Sequence, residues 1–414
     1  MKFSLLAVFM PLLTFAEASR APMDWAPVQT NAIARWKAEN QAPEGVVVDA
    51  TTRSVRLLAE ATGVSEGESV EFLAIGPLSD RAYESLLVTV ASPTAIVGAL
   101  DRIGVPRGTP TNPLRARLWP YGEKVSVSLK SIDGGGAAGG LATLLKDMRA
   151  AEEEPILGSP VVWTGGLRDA VGELVAATNV PCAVFALYNH APSLMQLDGL
   201  FDQTSTYGRF VAQKTCRLGE LFEISVAWDG VSRVKDVELV LSTTNATEAI
   251  AALRKSAETK DMHVRLRFDE SVTVDRAASY ANAFALLDGK GVKMNGLAEG
   301  QFYFRAFLPD PKWRERASRI FQPFEIHVSE DGSRSFVFCE EDWSGEGDDP
   351  VLRPHTTPFK DWNELPGLIS KTGEQGSKVS VLFIFAPKTQ PVVELTPILT
   401  AVGDRIDTFY VFGE

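Results

Sequence analysis

Apolar positions recur in short bursts along most of this chain, and the spacing of each burst predicts an element. GVVVDATTRSVRLLAE (from Gly45) and SVEFLAIG (from Ser69) are rich in β-branched residues. The polar stretch TGVSEGE lies between them, which predicts a hairpin. ESLLVTVAS (from Glu84) and KVSVSLK (from Lys124) predict two further strands. Between those two, SPTAIVGALDRIG predicts a helix, with Ser92 as N-cap, Pro93 at the first helical position and Gly104 as the stop. LATLLKDMRAAEEE (from Leu141) predicts another helix. PVVWTGG follows, and then a strand core at Cys182 to Tyr188. An Ala/Pro-rich stretch over 19–44 reads as a tether carrying one short amphipathic helix near Asn31 to Glu39.

Beyond Cys216 the pattern reads as a diverged repeat. HVRLRFDESVTVDRAASYANAFALL parallels SVLFIFAPKTQPVVELTPILTAV: each is an apolar strand, a polar turn and a helix with one apolar stripe. Each copy is expected to be a βαβαβ layer of about 90 residues, too few and too long for a solenoid. The expected fold class is therefore α+β: three small mixed α/β units, the C-terminal two resembling each other. The boundaries are a leader at 1–18, the tether at 19–44, a first unit at 45–216, and repeats at 221–308 and 323–414. A basic connector at 309–322 joins the repeats.

The leader carries the strongest local signal. Lys2 precedes an apolar run from Leu5 to Phe15, and Ala16-Glu17-Ala18 offers small residues two apart. At ~1.5 Å rise per residue that run covers about half of a ~30 Å hydrocarbon core, so it predicts a cleaved signal peptide rather than an anchor. The mature chain is expected to be water-soluble and exported, periplasmic or secreted. Its formal charge of -12 argues against nucleic acid, which needs clustered Lys and Arg. Three cysteines cannot build a four-Cys zinc or iron–sulfur site, so no cofactor is expected. In an oxidising compartment Cys182 and Cys216 can pair within one unit, with buried free thiols as the favoured alternative.

Several motifs have two readings. Gly134 to Gly139 matches a dinucleotide glycine loop, but the acidic residues downstream, Glu152 to Glu154, end a helix rather than a second strand; a plain loop is expected. Gly63-Val64-Ser65-Glu66-Gly67 matches a nucleophile elbow, but a strand follows where a helix is required. The acidic run Cys339 to Asp349 makes Glu340, Asp342 and Asp348 candidate calcium ligands, against a solvated loop. Asn245 and Glu248 have the spacing of a helix capping box, which is preferred over a glycosylation role. Lys312, Arg314, Arg316 and Arg319 form a candidate basic patch. His190, His263, His327 and His355 show no metal-ligand spacing. Tyr83, Glu84, Asp101, Tyr188 and Asn189 are the candidate polar ligand positions, and no catalytic residue is assigned.

Two resemblances follow from quoted stretches. VVVDATTRSVRL, VEFLAIG, YESLLVTVASPTAIVGALDRIGVPRGTP, WPYGEKVSVSL, VVWTGG and ALYNHAPSLMQLDGLFDQTSTYG together resemble the YdjY domain, an exported module without an established activity. Tyr83 stands where that family commonly has His, and Gly166 where it often has Ser. FEIHVSEDG, FKDWNELPGLISK and VSVLFIFAPKTQPVVELTPILTAVGDRIDTFYVFG look like the periplasmic domain of ExbD/TolR-type proteins. That resemblance implies dimerisation and contact with periplasmic partners or the cell wall. The family's membrane helix is missing from the pattern, so proton-driven work is not implied.

The function expected from these readings is a non-catalytic binding or scaffolding module of the cell envelope. Its expected partners are a cell-envelope protein or cell-wall component, with a homodimer open and no membrane anchor in the mature chain. A carboxylate-dependent hydrolase using Glu84 with Asp101, and a calcium-dependent adhesion module, are the alternatives.

Overall fold

A computed structural model describes residues 25–414, apart from 112–118, 150–156, 159–160, 169–171, 179–181, 200, 202, 258–260, 288–291, 295–301, 303–305, 309–323, 343–350, 373–380, 404–405 and 407. The leader, the four basic connector residues and Asp348 lie outside the described residues.

The molecule is mostly β. Its first half is a closed barrel built around one strand with two used edges. Strand β1 (Val46–Asp49) turns into β2 (Ser54–Ala61), and the two form an antiparallel hairpin. The remaining barrel strands are β3 (Phe72–Ile75), β4 (Ser85–Thr89), β5 (Glu123–Ser131), β7 (Val161–Trp163), β8 (Ala183–Ala186), β9 (Met195–Leu197) and β11 (Leu221–Ala227). They run β2-β11-β5-β7-β9-β8-β3-β4, and β4 pairs back onto β2 through Ala59, Glu60 and Ala61. The pairings are mainly antiparallel, with β3–β4 and β8–β9 parallel. A separate two-stranded ribbon joins β6 (Leu145–Asp147) to β10 (Phe210–Ala212).

Alternation along β2 explains how the barrel is filled and covered. Val55, Leu57, Ala59 and Ala61 point into the main core, with Phe72, Trp163, Phe185, Phe210 and Phe222 among the fully buried side chains there. Leu58 faces the other way and packs under Ile33 and Trp36 of the Thr30–Glu39 helix. Side chains in a strand alternate faces, so one strand serves both layers. Glu60, 1% exposed, shares that outer face. Its Oε1 accepts from the backbone N–H of Val28 (3.0 Å) and Gln29 (2.7 Å), fastening the helix entry. The expected tether is therefore docked from the helix onward. At Gly122 a Cβ would collide with the carbonyl oxygen of Trp163, so the join between β5 and β7 requires glycine.

The second half is α/β. β12 (Val234–Leu241), β13 (Asp261–Phe268) and β14 (Val292–Met294) are parallel, with helices Ala246–Ala257 and Val274–Ala285 in the crossovers. A six-stranded sheet follows. It consists of β15 (Phe307–Leu308), β16 (Phe324–Val328), β17 (Arg334–Asp342), β18 (Val351–Phe359), β19 (Val381–Ala386) and β20 (Thr408–Gly413), in the order β15-β20-β19-β16-β17-β18.

The expected α+β arrangement of three small units is corrected on each count. The first unit is an eight-stranded closed barrel with β1 appended, and β11, assigned from sequence to the next repeat, is one of its staves. The C-terminal copies are not separate βαβαβ units. The second opens with three antiparallel-linked strands, β16-β17-β18, with no helix between them among the described residues. One hydrophobic core runs through both sheets, from Leu241 to Val411. Backbone bonds Val274 N–H to Gln390 O (3.0 Å) and Val392 N–H to Val272 O (3.0 Å) sew the two sheets together.

Local expectations fared unevenly. The Pro93–Arg102 helix has the expected start, with Ser92 accepting from Ala95 N–H, and Gly104 follows it at φ +82°. The expected β2–β3 hairpin does not form; β3 pairs with β4 and β8. The expected helix from Leu141 is a single 3-10 turn, Leu141–Thr143, running into β6. Asn245 stands before its helix, but its side chain bonds backward, accepting from Ser242 N–H and donating to Val240 O.

Candidate functional site

The N-terminal ends of β3 and β4 and the C-terminal end of β8 meet on one rim of the barrel. Backbone bonds fix this junction: Glu71 N–H donates to Glu84 O (2.9 Å), and Leu187 N–H donates to Glu71 O (2.9 Å). Glu71, Glu84 and Tyr188 are thereby brought together from three strands. A 3-10 turn, Ala82–Glu84, leads into β4 and places Arg81 over the group. The Arg81 Nη1 donates to Tyr83 Oη (2.6 Å) and to Glu84 Oε1 (3.1 Å), and its guanidinium lies 5.9 Å from the Tyr83 ring centroid. Gln203 donates to Glu71 Oε2 (2.8 Å).

Beneath these groups Phe72, Tyr188 and His190 meet edge to face, with ring centroids 5.4–5.7 Å apart. Such contacts suit aromatic quadrupoles and give the rim a rigid floor. Nδ1 of His190 is hydrogen-bonded to Ser193 Oγ at 2.8 Å.

Burial and neighbouring charge set the protonation states. Burial raises the Glu84 carboxyl above its ordinary value, and Glu71 raises it further; Arg81 and Tyr83 pull the other way. Tyr188 is pushed up by burial and then by Glu71 and Glu84. His190 is pushed down to about 4 by burial, helped by Arg81, so its ring is neutral at pH 7. Arg81 thus sits between Glu84 (3.1 Å) and Asp80 (3.3 Å), with Glu71 beside Glu84 and Tyr83, a 43% exposed residue, at the edge.

Of the residues singled out from sequence, Tyr83, Glu84 and Tyr188 converge here. Asn189 is adjacent but occupied in shaping a loop. Its Nδ2 donates to Gly199 O (3.0 Å), and its Oδ1 accepts from Phe201 N–H (2.5 Å). Asp101 does not join them; it sits near the end of the Pro93–Arg102 helix, ion-paired with Arg107. Four members of the rim were missed: Glu71, Asp80, Arg81 and His190. A signal existed in the first, since Glu71 and Glu84 each stand one residue before an apolar strand. Parallel pairing of those strands then puts both at one end.

No family model, curated protein or solved structure matches this chain. The site therefore stands on its geometry.

The other sequence candidates disperse. Glu340 is hydrogen-bonded to His355 (2.7 Å) and Asp342 is ion-paired with Arg353, so two of the proposed calcium ligands are committed to side-chain partners across the β17–β18 hairpin. Among the described residues no group of three or more His, Cys, Asp and Glu is placed to hold a metal. Cys182 and Cys216 are buried free thiols rather than a disulfide. Burial, with Glu220 second, pushes the Cys216 thiol up to about 11. The glycine loop is tied down by Gly134 N–H to Ser131 Oγ (3.0 Å) and by mutual Leu129–Gly139 backbone bonds. With only a 3-10 turn after it, it presents no helix N-terminus to a phosphate. Ser65 lies in a turn closed by Ser65 N–H donating to Glu68 Oε2 (2.8 Å).

Proposed function

We propose that this chain is an exported, non-catalytic binding module of the cell envelope, docking a basic segment of an envelope protein on the Glu71–Glu84 rim. The observation that carries this reading is the convergence of three acids, Glu71, Glu84 and Asp80, around the single guanidinium of Arg81, which is ion-paired with Glu84 and Asp80, at the barrel end beside an exposed tyrosine. An acidic, aromatic-edged patch on a rigid floor complements Lys or Arg side chains. The export half of the proposal draws on Lys2, the apolar run and Ala16-Glu17-Ala18, and accords with the resemblance of residues 45–210 to the exported YdjY domain. Among the described residues no helix is long and apolar enough to cross a membrane.

Isolated envelopes of the source cell provide the test. The wild-type chain should sediment with them at low salt and release as salt rises, because exposed charge pairs are screened. Glu71→Gln/Glu84→Gln should retain about fivefold to tenfold less. Recovery that is equal for both proteins, or none for wild type, overturns the docking site. Retention on protein-stripped cell wall would move the partner from protein to wall. Mass spectrometry of the cellular protein should find Ser19 at its N-terminus; a chain still beginning Met1-Lys2 overturns export.

A further inference from the structure

A second cleft lies in the C-terminal half, away from the barrel rim. Its floor is the turn Lys360–Glu364 after β18. Asp361 caps that turn, its Oδ1 accepting from Asn363 N–H (2.9 Å). In return Glu364 Oε1 accepts from the backbone N–H of Asp361 (2.8 Å) and Lys360 (2.9 Å). This reciprocal capping box fixes the backbone on either side of Trp362. The Arg334 guanidinium stacks on the indole at 4.1 Å and donates to Lys360 O (2.7 Å). Phe359 packs against the same ring with centroids 5.5 Å apart. The facing wall is Thr396 and the helix Pro397–Val402, which contributes Thr400 and Ala401.

The cleft has a volume of ≈ 420 Å³ and is lined by Asp361, Trp362, Asn363, Thr396, Pro397, Thr400 and Ala401. That is within the range of small-molecule sites, about 300–1,000 Å³. Its chemistry is selective. Trp362 offers the part of its half-buried indole that Arg334 and Phe359 leave uncovered. Asn363, Thr396 and Thr400 offer an amide and two hydroxyls, each able to donate and accept. Thr396 Oγ1 already donates to Val393 O (2.8 Å), which leaves its lone pairs to accept. Among the described residues the charged lining group is the acid Asp361, and the nearby Arg334 guanidinium is held against the indole and Lys360 O, so the lining favours neutral ligands over phosphates and carboxylates. Neutral hydroxyls arranged around an apolar C–H face do find complements.

We propose that this cleft is a saccharide-binding site, taking a neutral pyranose ring against Trp362 with its hydroxyls bonded to Asn363, Thr396 and Thr400. The proposal does not rest on the barrel rim, and the two sites can fail separately.

The test is saturation-transfer NMR and titration calorimetry on the full chain, with oligosaccharides of N-acetylglucosamine, glucose and mannose as probes. At least one should show transfer to ring protons and measurable affinity. Trp362→Ala should weaken binding about tenfold or more. Trp362 is half-buried, so Thr400→Trp supplies the control: it lies on an exposed helix position and fills the cleft from outside. It should abolish binding while the thermal melt is unchanged, and Glu71→Gln/Glu84→Gln should bind as wild type. Silence from every probe with the wild-type chain overturns the proposal, as does binding that survives Thr400→Trp.

Discussion

His190 is where a single residue most clearly ties the rim to the stability of the barrel. Its ring is buried against Phe72 and Tyr188, and its pKa falls from 6.5 to about 4. The unfolded chain therefore binds a proton that the folded chain refuses. The stabilisation is complete above pH 6.5 and is lost as pH falls toward 4. Denaturant unfolding of wild type and His190→Gln at pH 7.5 and pH 4.5 should show the wild-type advantage shrinking by on the order of 2–3 kcal/mol. An advantage constant with pH would mean that the imidazole is solvated and the aromatic floor is not closed. At this scale the sequence was only partly informative. Tyr83, Glu84 and Tyr188 were visible as polar residues abutting apolar strands. Arg81 and His190 were not, because an arginine before a turn and a histidine after a strand have no distinguishing pattern until the strands are side by side.

Among the elements, the Thr30–Glu39 helix shows how an outward-facing acid can organise a segment that reads as a tether. Glu60 holds the backbone N–H groups of Val28 and Gln29, and Ile33 with Trp36 covers Leu58. Hydrogen bonds to a charged acceptor contribute about 1.5–3 kcal/mol each when buried. Glu60→Ala should therefore release this helix first. Hydrogen exchange should speed up at residues 30–39 while β5 and β11 stay protected; uniform loss across the barrel would show that Glu60 holds the β2–β4 seam instead. Elements with their own punctuation were legible. Ser92, Pro93 and Gly104 bracket a helix whose ends depend on local chemistry alone. The stretch from Leu141 was misread because Leu141, Leu144 and Leu145 have helical spacing, yet all three are buried for other reasons. Lys146 pairs with Val211, so a contact across sixty-five residues overrode local preference. β18 passed unnoticed because Pro354 and Pro358 interrupt it; prolines are tolerated there because it is the edge of its sheet.

For the whole molecule, closure is what the linear pattern could not express. β2 meets β1 over its first half and β4 over its second, on the same edge, while β11 occupies the other. Nothing in the alternation of Val55 to Ala61 distinguishes a strand with one neighbour from one with three. The C-terminal half failed in the opposite way. Its strand and turn patterns do echo one another, but echo is not independence, and the shared core from Leu241 to Val411 makes one body of two apparent copies. Closure matters because it carries Glu71, Glu84 and Tyr188 to one rim, and the claim that this rim receives a basic protein segment is the centre of the account. Photo-crosslinking in the source cell tests it most directly, with a benzophenone amino acid at Tyr83 and, as control, at Leu286, which is 68% exposed in the other half. The account predicts a discrete protein adduct from position 83 that disappears when Glu71→Gln and Glu84→Gln are added, and none from position 286. Uncrosslinked chain alone from position 83, or the same adduct from both positions, would contradict it.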